Sequence, residues 1–188
     1  MSTSSPLLSP PLTVGRAELL TEGTDRAFRQ MIQDLITLSI NVQRVRDEMA
    51  ARIRISGPQY AILMRVAHFS GPKEISTGVT VKETAAHLHV SGAFVTGEVK
   101  KLMSQGLLEK TTDAKDRRKV RLRLSPEGRA RLEAIAPMLR DVNDAFFGSL
   151  SAKDFQALTA IAAGLAARSG AAMDLLELPR NIEIARPG

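Results

Sequence analysis

The spacing of apolar residues changes along the chain, and each change marks a new element. Between Thr24 and Ile53 apolar side chains fall at Phe28, Met31, Leu35, Leu38, Val42, Val45 and Met49. Steps of three and four place them on one seam of a long helix. Ser56 followed by Gln59 has the form of a capping box, with Ile55 and Tyr60 placed as its staple. The stripe Tyr60, Leu63, Met64, Ala67 predicts a second helix ending near Gly71-Pro72. Thr80 with Glu83 forms another box, opening a short helix that carries Val81, Ala85 and Leu88 on one face. Ser91 caps the next helix after only His89 and Val90. Two short helices joined so tightly make a helix-turn-helix. In the second of them Val95, Val99 and Leu102 face inward, so Ala93, Phe94, Gly97, Lys100 and Lys101 point outward, and Gly106 supplies a left-handed stop.

The period then drops to two. Val120, Leu122 and Leu124 alternate with Lys119, Arg121 and Arg123, which is a strand with one wet face. Leu107 and Leu108 lie across a polar tip, so the segment predicts a β-hairpin whose tip and outer face carry arginine. Ser125-Pro126-Glu127 then reads as N-cap, N1 and N2 of a helix with the stripe Leu132, Ile135, Leu139, Val142, Phe146 and an expected kink at Pro137. A last helix begins at Ser151, with Asp154 completing its cap, and carries Phe155, Leu158, Ala162 and Leu165. Its alanine- and glycine-rich middle suits close approach by another helix. The pattern predicts a mainly α fold with a small β-wing (α+β). Its expected divisions are a flexible Ser/Pro-rich leader (1–23), an N-terminal helix (24–55), a compact central domain (56–124), C-terminal helices (125–176) and a tail (177–188).

Charge sharpens this picture. The chain of 188 residues has a net charge of +6, yet Lys100 to Arg131 alone holds eleven Lys/Arg against four Asp/Glu. The whole positive excess sits on the second short helix, the hairpin and the start of the following helix, where it suits a polyanion. The absence of cysteine excludes disulfides, thiolate metal sites and thiol redox sensing. No ordered nucleophile, base and acid, no phosphate loop and no metal-ligand spacing appears, so neither an enzyme nor a cofactor is expected. His87 and His89 are two apart and do not share a helix face. No membrane span or signal peptide is legible, which predicts a cytoplasmic protein.

Helix, helix, recognition helix and two-stranded wing, flanked by long helices from both ends, resemble the winged-helix regulators of the multiple antibiotic resistance (MarR) family. The likeness runs from about Asp25 to Leu176. It is carried by Val95-Thr96 and Val99, by Leu102 to Lys110 (LMSQGLLEK), and by Asp113-x-Lys115-Asp116-x-Arg118 followed by Leu122-x-Leu124-Ser125-x-x-Gly128. Lys115 stands where the family usually has arginine, Phe94 where a small polar residue is usual, Gly97 where a longer side chain is common, and His89 where glycine is common.

The resemblance implies a homodimer, built from the first helix and the last two, that binds a pseudo-palindromic double-stranded DNA operator. It implies that Arg118, oriented by Asp116, enters the minor groove, and that Lys115, Arg117 and Lys119 meet phosphates. Ser91, Ala93, Phe94, Thr96, Gly97, Lys100 and Lys101 would face the major groove. Such regulators often release DNA when a small anionic aromatic ligand binds between the dimerisation helices and the winged domain. Asn41, Arg44, Tyr60, Met64, His68 and Met138 are the candidate lining here, mixing polar handles with adaptable apolar groups. The expected function is a transcriptional regulator acting as a repressor. The alternatives are a winged-helix protein-interaction module and a regulator that needs no ligand.

Overall fold

The computed structural model describes residues 10–69, 78–113, 116 and 118–177. In chain order the elements are α1 (Arg26–Arg52), α2 (Gly57–His68), α3 (Val81–Leu88), α4 (Gly92–Ser104), β1 (Leu108–Thr112), β2 (Val120–Leu124), α5 (Pro126–Phe147) and α6 (Ala152–Glu177), with a 3-10 turn at Ala17–Leu19 ahead of α1. The chain divides into two compact units, one through Leu139 and one from Arg140 onward.

Local chemistry sets the helix starts of the first unit. In α2 the Ser56 hydroxyl accepts from the Gln59 amide at 3.3 Å while the Gln59 side chain accepts from the Ser56 amide at 3.0 Å. In α3 Thr80 and Glu83 exchange the same pair of bonds at 3.1 and 2.7 Å. Each box satisfies two amides that a helix start leaves orphaned. α3 ends at His89 in the left-handed conformation, with φ 54°, which histidine tolerates better than most residues. α4 stops at Gly106, φ 73°, where the Leu107 amide returns to the Leu102 carbonyl at 2.9 Å. The predicted end of the second helix near Gly71-Pro72 lies outside the described residues; α2 itself ends at His68.

The core of this unit gathers Met49 and Ile53 from α1, Ile62, Leu63 and Val66 from α2, Val95, Val99 and Leu102 from α4, Leu107 and Leu122 from the hairpin, and Ile135 from α5. Ile62 and Val66 are fully buried beside the predicted stripe of α2, because neighbouring elements cover that helix on more than one side. β1 and β2 pair antiparallel in the register Leu108↔Leu124 to Thr112↔Val120, and Val79 adds a bridge to Leu122 on the other edge of β2. Pro137 lies inside α5, which continues as one element to Phe147.

The seam of α1 is buried only at its C-terminal end. Met49 is 2% exposed, whereas Met31 and Leu35 are 42% and 43% exposed. Ahead of α1, in the stretch read as a leader, the Thr13 amide and hydroxyl both donate to the Asp25 carboxylate, and Arg29 bridges Asp25 to the Pro11 carbonyl. In the second unit α6 is capped as expected, with Ser151 and Asp154 bonding reciprocally, yet none of its residues is buried.

Candidate nucleic-acid interface

Two surfaces of the first unit bring the predicted DNA residues to solvent. On α4, Val95, Val99 and Leu102 are buried, so Ser91, Ala93, Phe94, Thr96, Lys100 and Lys101 are exposed and Gly97 is half-buried. The Ser91 hydroxyl caps the helix by accepting from the Phe94 amide at 3.1 Å. At the flank Glu98 accepts from Lys101 Nζ at 2.7 Å and from Gln59 Nε2 at 3.0 Å. Gln59 therefore caps α2 and anchors the recognition helix with one buried amide. Sequence spacing hides this contact, because its partners lie 39 residues apart.

The second surface is the tip of the hairpin. The Asp116 carboxylate accepts from the Arg118 amide at 3.1 Å and from its guanidinium Nε at 3.5 Å, while the Arg118 side chain stays 94% exposed. Lys119 Nζ lies 3.8 Å from the same carboxylate. Among the described residues the hairpin tip thus presents the exposed guanidinium of Arg118, whose direction a neighbouring acid biases. Lys115 and Arg117 lie outside the described residues.

Two expectations for the hairpin are corrected. The alternation places Val120, Leu122 and Leu124 inward, but only Leu122 is buried and Val120 is 49% exposed; near its tip a two-stranded ribbon has nothing beneath it to cover the inner face. The same alternation assigns Arg121 to the wet face, yet its side chain is only 18% exposed. Arg121 turns toward the start of α3, donating to the Asp113 carboxylate and, at 3.1 Å, to the Gly78 carbonyl, with Glu83 3.8 Å away. Asp113 also accepts from the Asp116 amide at 2.9 Å. A chain of contacts therefore runs from the cap of α3 through Arg121 and Asp113 to Asp116 and Arg118. Hydrogen bonds from the Thr80 amide, ahead of the field of Arg121, hold the Glu83 carboxyl below its ordinary value.

Two glycines complete the frame. Gly78, at φ 58°, lets the Val79 bridge form, since a Cβ there would sit 2.6 Å from the Leu122 carbonyl oxygen. Gly128 packs the first turn of α5 against Leu107, whose carbonyl oxygen would lie 2.1 Å from a Cβ. The Ser125 hydroxyl caps this turn at the Gly128 amide, 2.9 Å away, and donates to the Gly106 carbonyl. The base of the hairpin and the start of α5 are one joint.

The predicted ligand residues are not brought together. Tyr60 and Met64 line a cavity of about 280 Å³ with Leu124, Arg129, Leu132 and Leu139. Met138 lines a different cavity of about 530 Å³ with Arg52, Arg54 and Arg131. Asn41 and Arg44 stand on α1, half-buried and exposed respectively, and His68 is exposed with its ring against Phe69 at 5.1 Å. Among the described residues no cluster of three or more histidines and acids could hold a metal ion, and no helix is long and apolar enough to cross a membrane.

Comparison with known proteins places this geometry. A family model described as the MarR family matches residues 55–119. Among solved structures, the DNA complex of MepR from Staphylococcus aureus is 17% identical with a TM-score of 0.56, covering 81% of this chain and 98% of its own. A MarR family transcriptional regulator from Silicibacter pomeroyi is 15% identical with a TM-score of 0.61, covering 72% and 86%. BpsR from Bordetella bronchiseptica, whose DNA binding is regulated by 6-hydroxynicotinic acid, is 19% identical with a TM-score of 0.51, covering 72% and 98%. No curated protein matches. Helix-turn-helix, two-stranded wing and flanking helices give this chain the fold of these structures, and residues 55–119, which span most of the helix-turn-helix and the wing tip, match the MarR family model.

Proposed function

We propose that the chain is a dimeric, sequence-specific DNA-binding transcription regulator that represses by occupying a pseudo-palindromic operator and leaves it when a small anionic or aromatic ligand binds. The observation that carries this reading is the exposed Arg118 beside Asp116, at the tip of the segment that holds the entire positive excess of the chain. A narrow minor groove concentrates negative potential, and a guanidinium already directed by a carboxylate loses less freedom on entering it. The exposed face of α4 is the matching surface for the major groove. Lys100, Lys101, Lys115, Arg117 and Lys119 serve phosphates, which position the protein without specifying sequence.

Residues 24–55 and 125–176 are the dimerisation helices around the DNA-binding domain 56–124. The apolar middle of α1 and the wholly uncovered α6 support this, since a 26-residue helix with no buried side chain needs a partner surface. The cavity at Tyr60 and Met64 supports a small effector: it touches Leu124 and α5, so an occupant would press on the joint at Ser125. The regulator acts in the cytoplasm.

The test is titration of the full chain into duplexes from the DNA flanking its own gene, between about 50 and 200 mM salt. A steep salt slope is expected, and Arg118→Ala should cost about 1–3 kcal/mol of binding. Unchanged affinity in that variant would sink the wing assignment. Absence of any salt-dependent duplex binding would point to a protein-interaction module. A thermal-shift series with aromatic carboxylic acids tests the effector, and no stabilisation at millimolar concentration would favour a ligand-free regulator.

A further inference from the structure

The exposed side of the recognition helix is poor in groups that read bases by hydrogen bonding. The Ser91 hydroxyl is engaged as the cap of the helix, and the Thr96 hydroxyl donates to the Gly92 carbonyl at 2.8 Å. The Lys101 ammonium is held on Glu98. No Arg, Asn or Gln occurs from Ser91 through Ser104, so of the side chains that pair in bidentate fashion with guanine or adenine in the major groove only Lys100 stands beside the engaged Lys101. What the first turn offers to solvent is Phe94, 43% exposed, next to the Ala93 methyl.

The glycines of this helix point outward too. At Gly92 and Gly97 an added Cβ would meet nothing within 4 Å, and neither has a positive φ. Gly78 and Gly128 each admit a backbone neighbour of the same chain; Gly97 admits none. Glycine inside a helix is less favourable than alanine and no described neighbour of the same chain accounts for Gly97, while a bare backbone there would let the helix approach a groove closely.

Resting on the DNA-binding reading above, we propose that the recognition helix specifies its operator by apolar contact, with Phe94 and Ala93 seated on thymine C5-methyl groups. Half-sites then present thymines to this helix. The lysines and the wing add attraction to the phosphates, and a thymine methyl is the one apolar feature a base pair displays in the major groove.

The experiment selects duplexes from a random library with the full-length chain. The strongest is remade with deoxyuridine for thymidine, one position at a time, and separately with 7-deazapurines. Uracil pairs identically and lacks only the methyl. Expected is a loss of about fourfold for each contacted methyl, at one or two positions in each half-site. Phe94→Ala should lose uracil sensitivity at the position that Phe94 contacts while keeping it at any that Ala93 contacts, and the 7-deazapurines should leave affinity within about twofold. Uracil without effect anywhere, with 7-deazapurines weakening binding, would overturn the proposal and leave the DNA-binding reading standing. A library that retains no duplex even at low salt would overturn that reading itself. Phe94 is exposed, and an unchanged melting temperature of Phe94→Ala separates lost contact from lost fold.

Discussion

The Arg121 guanidinium donates to the Asp113 carboxylate across the hairpin and to the Gly78 carbonyl ahead of α3, so one mostly buried arginine ties the wing to the start of the helix-turn-helix. Asp113 in turn receives the Asp116 amide, and Asp116 directs Arg118. Two acids near the wing tip thus have separate tasks: one holds Arg121 across the hairpin, the other directs the exposed arginine.

Arg121→Ala removes one partner of a mostly buried carboxylate. Because both groups keep some solvent, the loss should be about 2 kcal/mol, below that of a fully buried pair. Operator affinity should fall with it although Arg121 is turned toward the start of α3. Urea unfolding of Arg121→Ala, Asp113→Ala and the double variant checks this: a coupling energy near zero would show that the pair does not hold the wing.

The glycines separate fold from function. Gly128→Ala drives a methyl into the Leu107 carbonyl and should cost about 1–3 kcal/mol or more. Gly97→Ala should instead stabilise the protein by about 0.5–1 kcal/mol while weakening DNA binding. Thermal melts and binding titrations on the same two variants decide the matter, and a Gly97→Ala protein that binds DNA as well as the parent would contradict a close groove approach.

Gln59 serves two helices, so Gln59→Ala should cost about 1–2 kcal/mol through the lost cap and the stranded Glu98. Glu98→Gln keeps an oxygen able to accept from Gln59 and should lose less. If Glu98→Gln and Gln59→Ala destabilise equally, the anchor works through charge rather than the hydrogen bond.

Acid should loosen the helix-turn-helix. The Glu83 carboxyl is held below its ordinary 4.5 by the Thr80 amide first, then by the Thr80 hydroxyl and Arg121, against some desolvation. A depressed carboxylate contributes stability above its unfolded value and loses it as pH falls through the folded one. Stability should therefore drop below about pH 4.5, and Glu83→Gln should show a shallower acid limb. Asp154, lowered by its bonds to Ser151, adds to the same limb. Identical limbs in parent and Glu83→Gln, followed by circular dichroism, would remove Glu83 from the account.

Leu165 is 56% exposed on a helix that buries nothing. Leu165→Asp should convert the proposed dimer into monomer, with loss of helical signal and of operator affinity. Light scattering coupled to gel filtration reads the mass directly, and an unchanged dimer would place the interface elsewhere.

Helix starts, the left-handed stop at Gly106, and the buried trio Val95, Val99, Leu102 were all legible in the order of residues. Each depends on groups three or four positions apart, within one or two turns of backbone. The exposed tip arginine and its neighbouring acid were legible for the same reason, lying two apart. The partner of Arg121 was not, because the alternation of a strand says which side a residue leaves from and not what waits there. The loop that brings the Gly78 carbonyl to it is 43 residues away. Of the proposed effector residues, Tyr60 and Met64 line one cavity and Met138 another, since a cavity is shaped by whichever elements meet.

By itself, then, the sequence determined the elements, their caps, the outward chemistry of the recognition helix and the concentration of charge on the wing, all of which are set by short-range spacing. Only the tertiary structure decided which acid holds which arginine and which amide anchors the recognition helix. Those choices follow from close packing, which brings together groups that the chain keeps far apart and leaves each buried charge with the partner within reach.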